Sequence, residues 1–409
     1  MTLVYLIAGE ASGDALGGRL MTALRARRPG LRFAGIGGPA MQAQGLESLF
    51  PMNELALMGL LEVVPRLIGL RRRIRQTEAD IAARRPAVLV TIDSPGFTLR
   101  ILKSAAALGM PRAHYVAPQA WAWRESRVRH YPGLWDALLC LLPFEPAFFA
   151  RHGLAARFVG HPVLESGADR GDAARFRARH GIAADAVPLI LMPGSRRTET
   201  GPLLPILGRA LELLHPLVPG LLPVVPVAPG VAEAVRAGTE AWRTRPILVS
   251  EPADKYDAFA AAAAALTKSG TSTLELALAG VPMTVAYKVN PLTAFIARRV
   301  VKVRYASILN LIADRAVIPE LIQQDCTPGK LAATLAPLLT DPAAADAQRA
   351  ALRPLLAALR PPTGLPSEAA AAAVLSLLDG AGPDQAGSNQ ARSNQAGSDE
   401  ARGGQAGAG

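Results

Sequence analysis

Two cysteines in 409 residues, Cys140 and Cys326, stand far apart and outside any CxxC or Cys/His spacing. That argues against a disulfide framework and a structural zinc site, and it fits a reducing cytoplasm. Aromatic residues make up 5% of the chain against 50% hydrophobic, so its cores must be aliphatic. Nowhere do about 18 apolar residues run uninterrupted, so no transmembrane helix is expected. The opening MTLVYLIAGEASGD lacks a basic flank and a long apolar stretch before its glycine turn, and reads as a first buried strand rather than a leader. Helix-turn-helix patterns and aromatic-interleaved basic sheets are missing too, so nucleic acid is not an expected partner.

Positive charge, by contrast, is plentiful: the net charge is +11 and the pI about 10.2. It is concentrated locally. Arg66, Arg71, Arg72, Arg73 and Arg75 follow the apolar run Leu57, Met58, Leu60, Leu61, Val63, Val64, Leu67, Ile68 and Leu70, and Pro65 is expected to interrupt a helix there. Arg298, Arg299, Lys302 and Arg304 interleave with Ile296, Val300, Val301 and Val303. Basic residues beside apolar ones suit an anionic membrane surface or an anionic lipid substrate, although arginine-rich coding accounts for part of the excess.

Short apolar runs alternate with helix-length segments along most of the chain: LVYLIA, FAGIGG, AVLVTID, RAHYVAP, DALLCLL and RFVG, then, after a hydrophilic bridge from Glu165 to Asp185, PLILMPGS, LPVVPVA, PILVS, AALT and MTVAYK. Continuous apolar strands separated by helices imply parallel sheets covered on both faces. The expected fold class is α/β, with two Rossmann-like doubly wound domains facing a cleft. Residues 1–164 and 165–345 form the domains, helices in 346–378 pack back on the first domain or on a partner subunit, and 379–409 is a low-complexity tail, expected to be disordered.

In doubly wound sheets ligands bind beyond the carboxyl ends of the strands, and the unusual motifs fall there. AGEASGD, with Glu10, Ser12 and Asp14, is no GxGxxG: its carboxylates would repel a pyrophosphate and suit sugar hydroxyls or a general base. GIGGPAM follows the second strand and reads equally as a structural turn. Asp93 in TIDSPGF sits after a very apolar strand, either as a base whose pKa is raised by desolvation or as a cap for the next helix. Gln119, Trp121, Trp123, Arg124 and Arg127 line a loop suited to sugar and phosphate, or wedge a domain interface.

In the second domain Gly194, Ser195 and Arg196 offer a backbone turn and a guanidinium to a diphosphate. Lys268 to Pro282, KSGTSTLELALAGVP, reads as strand end, turn and helix. Gly270 admits close approach of an anion, Ser269, Thr271, Ser272 and Thr273 supply hydroxyls and N–H groups, and Glu275, placed in the first helical turn, can cap it or reach a ribose hydroxyl. An ordinary capped helix is the plainer reading of that stretch.

Taken in order, AGEASGD, GIGGPAM, LALMGLLEV, IDSPGF, HYVAPQAWAWR, LLPFEP, FVGHP, MPGSRRTE, KSGTSTLELALAGVPM and NLIADRAVIPELIQ resemble the lipid-A-disaccharide synthases, glycosyltransferases of lipopolysaccharide biosynthesis, from about Leu3 to Leu378. The resemblance implies a GT-B fold and transfer of the glucosaminyl unit of UDP-2,3-diacylglucosamine to 2,3-diacylglucosamine 1-phosphate, with inversion. It also implies Asp93 as base, with Glu10, Ser12 and Asp14 across the cleft near the acceptor; Glu10 and Asp14 stay open as alternative catalytic bases. Gly194, Ser195, Arg196, Ser269, Gly270, Thr271, Glu275, Asn310 and Glu320 would hold the UDP-sugar. Ser12, Met58, Leu61, Arg71, Arg72, Gln119, Trp121, Trp123 and Arg124 would serve the acceptor and lipid side. MPGS replaces the usual LPGS, and ILNL the usual LPNL beside Asn310.

No DxD-like pair occupies a cleft position, so metal-independent transfer without a cofactor is expected. The partners expected are the two acylated sugars and the anionic surface of the Gram-negative inner membrane, met peripherally from the cytoplasm, with a homodimer through the C-terminal helices as a further expectation. The rival enzyme class is the UDP-N-acetylglucosamine 2-epimerases, which share the architecture but need neither an acceptor nor an apolar basic segment. A non-enzymatic basic protein with degenerate loops is the other rival.

Overall fold

A computed structural model describes residues 2–56, 63–123, 125–290, 294 and 303–380. They divide into two compact units: one of residues 2–120, 125–162 and 361–380, the other of 121–123 and 163–360.

The first unit is a seven-stranded parallel sheet, β1 (Leu3–Ala8), β2 (Arg32–Ile36), β3 (Glu47–Ser48), β4 (Val88–Ile92), β5 (Arg112–Tyr115), β6 (Ala137–Cys140) and β7 (Ala156–Phe158), in the order 3-2-1-4-5-6-7. Its central strands are buried on both faces, as their unbroken apolar runs require; all of Val88–Ile92 is buried. Helix Ala11–Arg27 covers part of one face and packs with Pro366–Leu378, whose Ala370, Ala371 and Val374 enter the same core as Leu20, Leu24 and Val90. That helix's apolar face is therefore spent within the chain.

The second unit holds β8 (Val187–Met192), β9 (Leu221–Pro226), β10 (Ile247–Val249), β11 (Ala264–Thr267), β12 (Met283–Tyr287) and β13 (Glu320–Ile322), all parallel, in the order 10-9-8-11-12-13. Strand order reverses at β8 and β11, which leaves a crevice at their carboxyl ends. Helix Pro342–Ala358 belongs here, whereas the helices of 346–378 were expected to pack on the first domain or on a partner subunit: the Gln348 side chain donates to Met283 O (3.1 Å) and accepts from Met283 N–H (2.6 Å). The boundary thus falls at 360/361 rather than 345/346.

Pro65 does not interrupt the helix Val63–Arg84 but lies near its described start, where a missing N–H costs little. Met58, Leu61 and Arg124 lie outside the described residues, as do Leu57, Leu60, Arg298, Arg299, Lys302 and the tail from Ala381.

Candidate functional site

The crevice of the second unit is a cleft of about 610 Å³ built from four neighbouring strand ends: Met192 to Arg196 after β8, Pro226 to Pro229 after β9, Val249 to Glu251 with Lys255 after β10, and Thr267 to Ser272 after β11. Met192 and Thr267 are paired in register, so the turns that follow them are adjacent. Two helices, Arg197–Leu214 and Thr271–Leu278, open on those turns and direct the positive ends of their dipoles there. Gly194 (φ +119°) and Gly270 (φ +150°) take backbone conformations that side-chain-bearing residues rarely adopt. Three cations, Arg196, Lys255 and Lys268, line the walls. Such a lining is suited to a diphosphate.

Glu199 braces the first turn. Its carboxylate accepts from Lys268 Nζ (2.8 Å), Ser195 N–H (3.2 Å) and Arg196 Nη1 (3.4 Å), and the residue is 5% exposed. Burial alone would raise its pKa, but the hydrogen bond and charge of Lys268, with Ser195 N–H and Arg196, outweigh that and hold it below the usual carboxylate range. Glu275 is not in the first turn of its helix; it sits one turn later, accepting from Lys255 Nζ (2.7 Å) and Tyr256 OH (3.0 Å). Its effect on the cleft runs through Lys255.

Asn310 and Glu320 also act at one remove. Asn310, fully buried, accepts from the N–H groups of Val317 and Ile318 and donates to Ile318 O and Glu320 Oε1. Glu320 in turn accepts from Ala306 N–H (2.8 Å) and Ser307 N–H (2.9 Å), and Ala306 O receives the Ser269 hydroxyl (2.6 Å). The chain of bonds leads from β13 to the cleft turn. These residues position the turn, and their polar atoms are consumed in doing so.

On the first unit the carboxyl ends of β1 and β4 are neighbours, Ala8 being paired with Ile92. The turns touch closely: a Cβ at Gly9 would stand 2.4 Å from Ser94 Oγ. Asp93 (φ +50°) and Ser94 (φ +48°) are both left-handed, and Val116 (φ +76°), after the adjacent β5, is a β-branched residue in the same region. Backbone strain of this kind collects where function overrides stability. Asp93 is not a helix cap, since Ser94 holds the N-cap position. Desolvation raises the pKa of its carboxyl, with the Ser94 N–H pulling the other way, and among the described residues no cation pairs with it. That is an environment for a proton acceptor.

Glu10 and Ser12 are exposed at the opening of helix Ala11–Arg27. Asp14 is different: 4% exposed, it accepts from the N–H groups of Gly38 (2.8 Å), Ala40 (2.9 Å) and Met41 (3.0 Å). Both oxygens are engaged in holding the GIGGPAM turn, where Asp14 was expected as a catalytic carboxylate. Gln119 and Trp123 are exposed and Trp121 half-buried on and beside helix Ala120–Trp123. Arg71, Arg72 and Arg75 are exposed on Val63–Arg84, while Arg73 pairs with Glu54 (2.6 Å) and covers the Phe50 ring. Among the described residues no group of three metal-ligating side chains is found.

Sequence reasoning gave no role to Lys255, Lys268 or Glu199. One signal was there: only six of the 44 basic residues are lysine, and two of those six line this cleft.

A family model described as Lipid-A-disaccharide synthetase matches residues 4–374. A lipid-A-disaccharide synthase of Granulibacter bethesdensis is 55% identical over 92% of this chain and 98% of the relative. Among solved structures, the glycotransferase of kitacinnamycin superposes with a TM-score of 0.62 at 17% identity, over 92% of this chain and 99% of its own. A UDP-GlcNAc 2-epimerase from Neisseria meningitidis bound to UDP-GlcNAc gives 0.58 at 11%, over 88% and 99%. At such identities the structures speak for the two-domain GT-B architecture alone, which both classes share. With a family match and more than half its residues shared over nearly its whole length, the chain belongs to the lipid-A-disaccharide synthase family.

Proposed function

We propose that the second-unit cleft holds the uridine diphosphate of an acylated UDP-glucosamine and that Asp93 takes the proton from the acceptor hydroxyl. The chain is a glycosyltransferase of lipid A synthesis: it condenses UDP-2,3-diacylglucosamine with 2,3-diacylglucosamine 1-phosphate (lipid X) to a β(1→6) disaccharide 1-phosphate and UDP. The donor is α-linked and the product β-linked, so the reaction is one in-line displacement that needs a base for the 6-hydroxyl and positive groups for the leaving diphosphate.

One observation carries the cleft assignment: four strand ends bring Arg196, Lys255, Lys268 and two helix N-termini to a single crevice at the switch point of the sheet. Those positive groups can neutralise charge building on UDP, which supports transfer without a metal ion. Glu10 and Ser12, exposed at the end of β1, would meet the acceptor. Acyl chains and the anionic inner leaflet would be met by the LALMGL segment with Arg71, Arg72 and Arg75, as a peripheral attachment on the cytoplasmic side. Among the described residues no helix is long and apolar enough to cross a membrane.

The epimerase architecture makes acceptor dependence the deciding test. With both acylated sugars in detergent micelles, UDP release is expected to require the acceptor and to yield one disaccharide per UDP. Change at C2 of the sugar, with no acceptor required, would refute the transferase.

A further inference from the structure

Three of the cleft's anion-binding donors, Lys268 Nζ, Arg196 Nη1 and Ser195 N–H, converge on one carboxylate, that of Glu199. The carboxylate also fills the hollow of the turn: a Cβ at Gly194 would stand 2.7 Å from Glu199 Oε2. Sitting at the third position of helix Arg197–Leu214, it has the place in that turn where an incoming anion would find the helix N-terminus.

We propose that Glu199 is an internal counter-anion, which occupies the anion cradle while the cleft is empty and gives up Lys268 and Arg196 to the diphosphate when UDP or the UDP-sugar binds. The inference rests on the cleft being the diphosphate site. Electrostatics supplies the reason. A carboxylate held against a bound diphosphate repels it, and a lysine still paired with that carboxylate offers little net charge to a phosphate oxygen. An empty cradle without Glu199 would leave Lys268, whose side chain is 23% exposed, uncompensated. Exchange between two anions keeps it paired in both states. When UDP leaves, the carboxylate recaptures the cations, so the exchange lowers affinity for the product.

Calorimetric titration of the full chain with UDP and with UMP, for wild type, Glu199→Gln, Lys268→Ala and Arg196→Ala, tests this. Lys268→Ala is expected to weaken UDP binding about tenfold or more, because a charge-assisted contact is lost. Glu199→Gln keeps shape and size but removes the competing charge; it should tighten UDP severalfold and UMP less. A folded Glu199→Gln protein that binds UDP equally or more weakly would show Glu199 to be a fixed brace and overturn the exchange. Should Glu199→Gln not fold, Glu199→Asp, one methylene short of Lys268, is read by the same criterion. Unchanged UDP affinity in both Lys268→Ala and Arg196→Ala would instead remove the diphosphate from this cleft, and with it the reading on which the exchange stands.

Discussion

Lys268 Nζ and Glu199 Oε1 lie 2.8 Å apart and tie the turn after β11 to the turn after β8 across the switch point of the second sheet. The pair couples the two segments most directly suited to a diphosphate. It also couples stability to pH. Glu199 is held below its usual pKa in the folded chain, so its contribution is full above the unfolded carboxylate range, about pH 4–5, and is lost as the pH falls through the folded value.

Lys268→Ala should therefore lower the urea midpoint of unfolding at pH 7 and leave it less sensitive to acid than the wild type, because the mutant has less of this ion-pair contribution to lose. Denaturation curves at pH 7 and near pH 4 check both halves. Equal acid sensitivity of the two proteins would show that the pair contributes nothing through its charge.

Asp93 has the opposite sign. Its folded pKa is raised by desolvation, so the folded chain holds that proton more tightly than the unfolded one, and stability falls as the pH rises through the folded pKa. Asp93→Asn removes a carboxylate that pairs with no cation among the described residues and keeps a residue tolerant of φ +50°. The thermal midpoint at neutral pH is expected to rise while activity collapses, and in the wild type kcat/KM should drop on the acid side at a pH above the ordinary aspartate value.

Asp14→Asn separates structure from chemistry. One oxygen able to accept from Gly38 and Met41 or from Ala40 becomes an amide donor, at a cost of about 1–3 kcal/mol in unfolding free energy. Folded protein should retain kcat within a few-fold. A loss of kcat of two orders of magnitude in folded protein would return Asp14 to the reaction.

Asn310→Asp replaces two donated hydrogen bonds with a carboxylate facing Glu320 in a fully buried position. Destabilisation of about 3 kcal/mol or more is expected, together with weaker UDP binding through the released Ala306–Ser269 contact. Asn310→Asp with wild-type stability and impaired UDP binding would instead mean that Asn310 touches the donor itself.

Most of this architecture was legible in the chain because strands buried on both faces must be written as continuous apolar runs, and LVYLIA, AVLVTID and PLILMPGS are such runs. The edge strands β3 and β13, two and three residues long, carry no such signature. Helix Pro342–Ala358 joins the second unit, where Gln348 bonds both the N–H and the carbonyl of Met283, while the more apolar Pro366–Leu378 packs in the first; that division is visible only in the tertiary structure. Turn residues of the cleft, Gly194, Ser195, Arg196 and Ser269 to Thr271, announce themselves by type. Lys255 does not, because it stands in the first turn of helix Pro252–Ala261, past the strand end Val249 to Glu251, with no glycine beside it to mark the place. Asn310 and Glu320 were expected beside the donor, and their hydrogen bonds tie them to Ile318, Ala306 and Ser307 behind the Ser269 turn.

Metal-independent transfer with Asp93 as base is tested by disaccharide formation from the two acylated glucosamine substrates in micelles containing EDTA, wild type against Asp93→Ala. Undiminished product is expected from the wild type and a loss of about two or more orders of magnitude in the variant. Wild-type activity abolished by EDTA and restored by Mg²⁺, or a variant as active as the wild type, would contradict it.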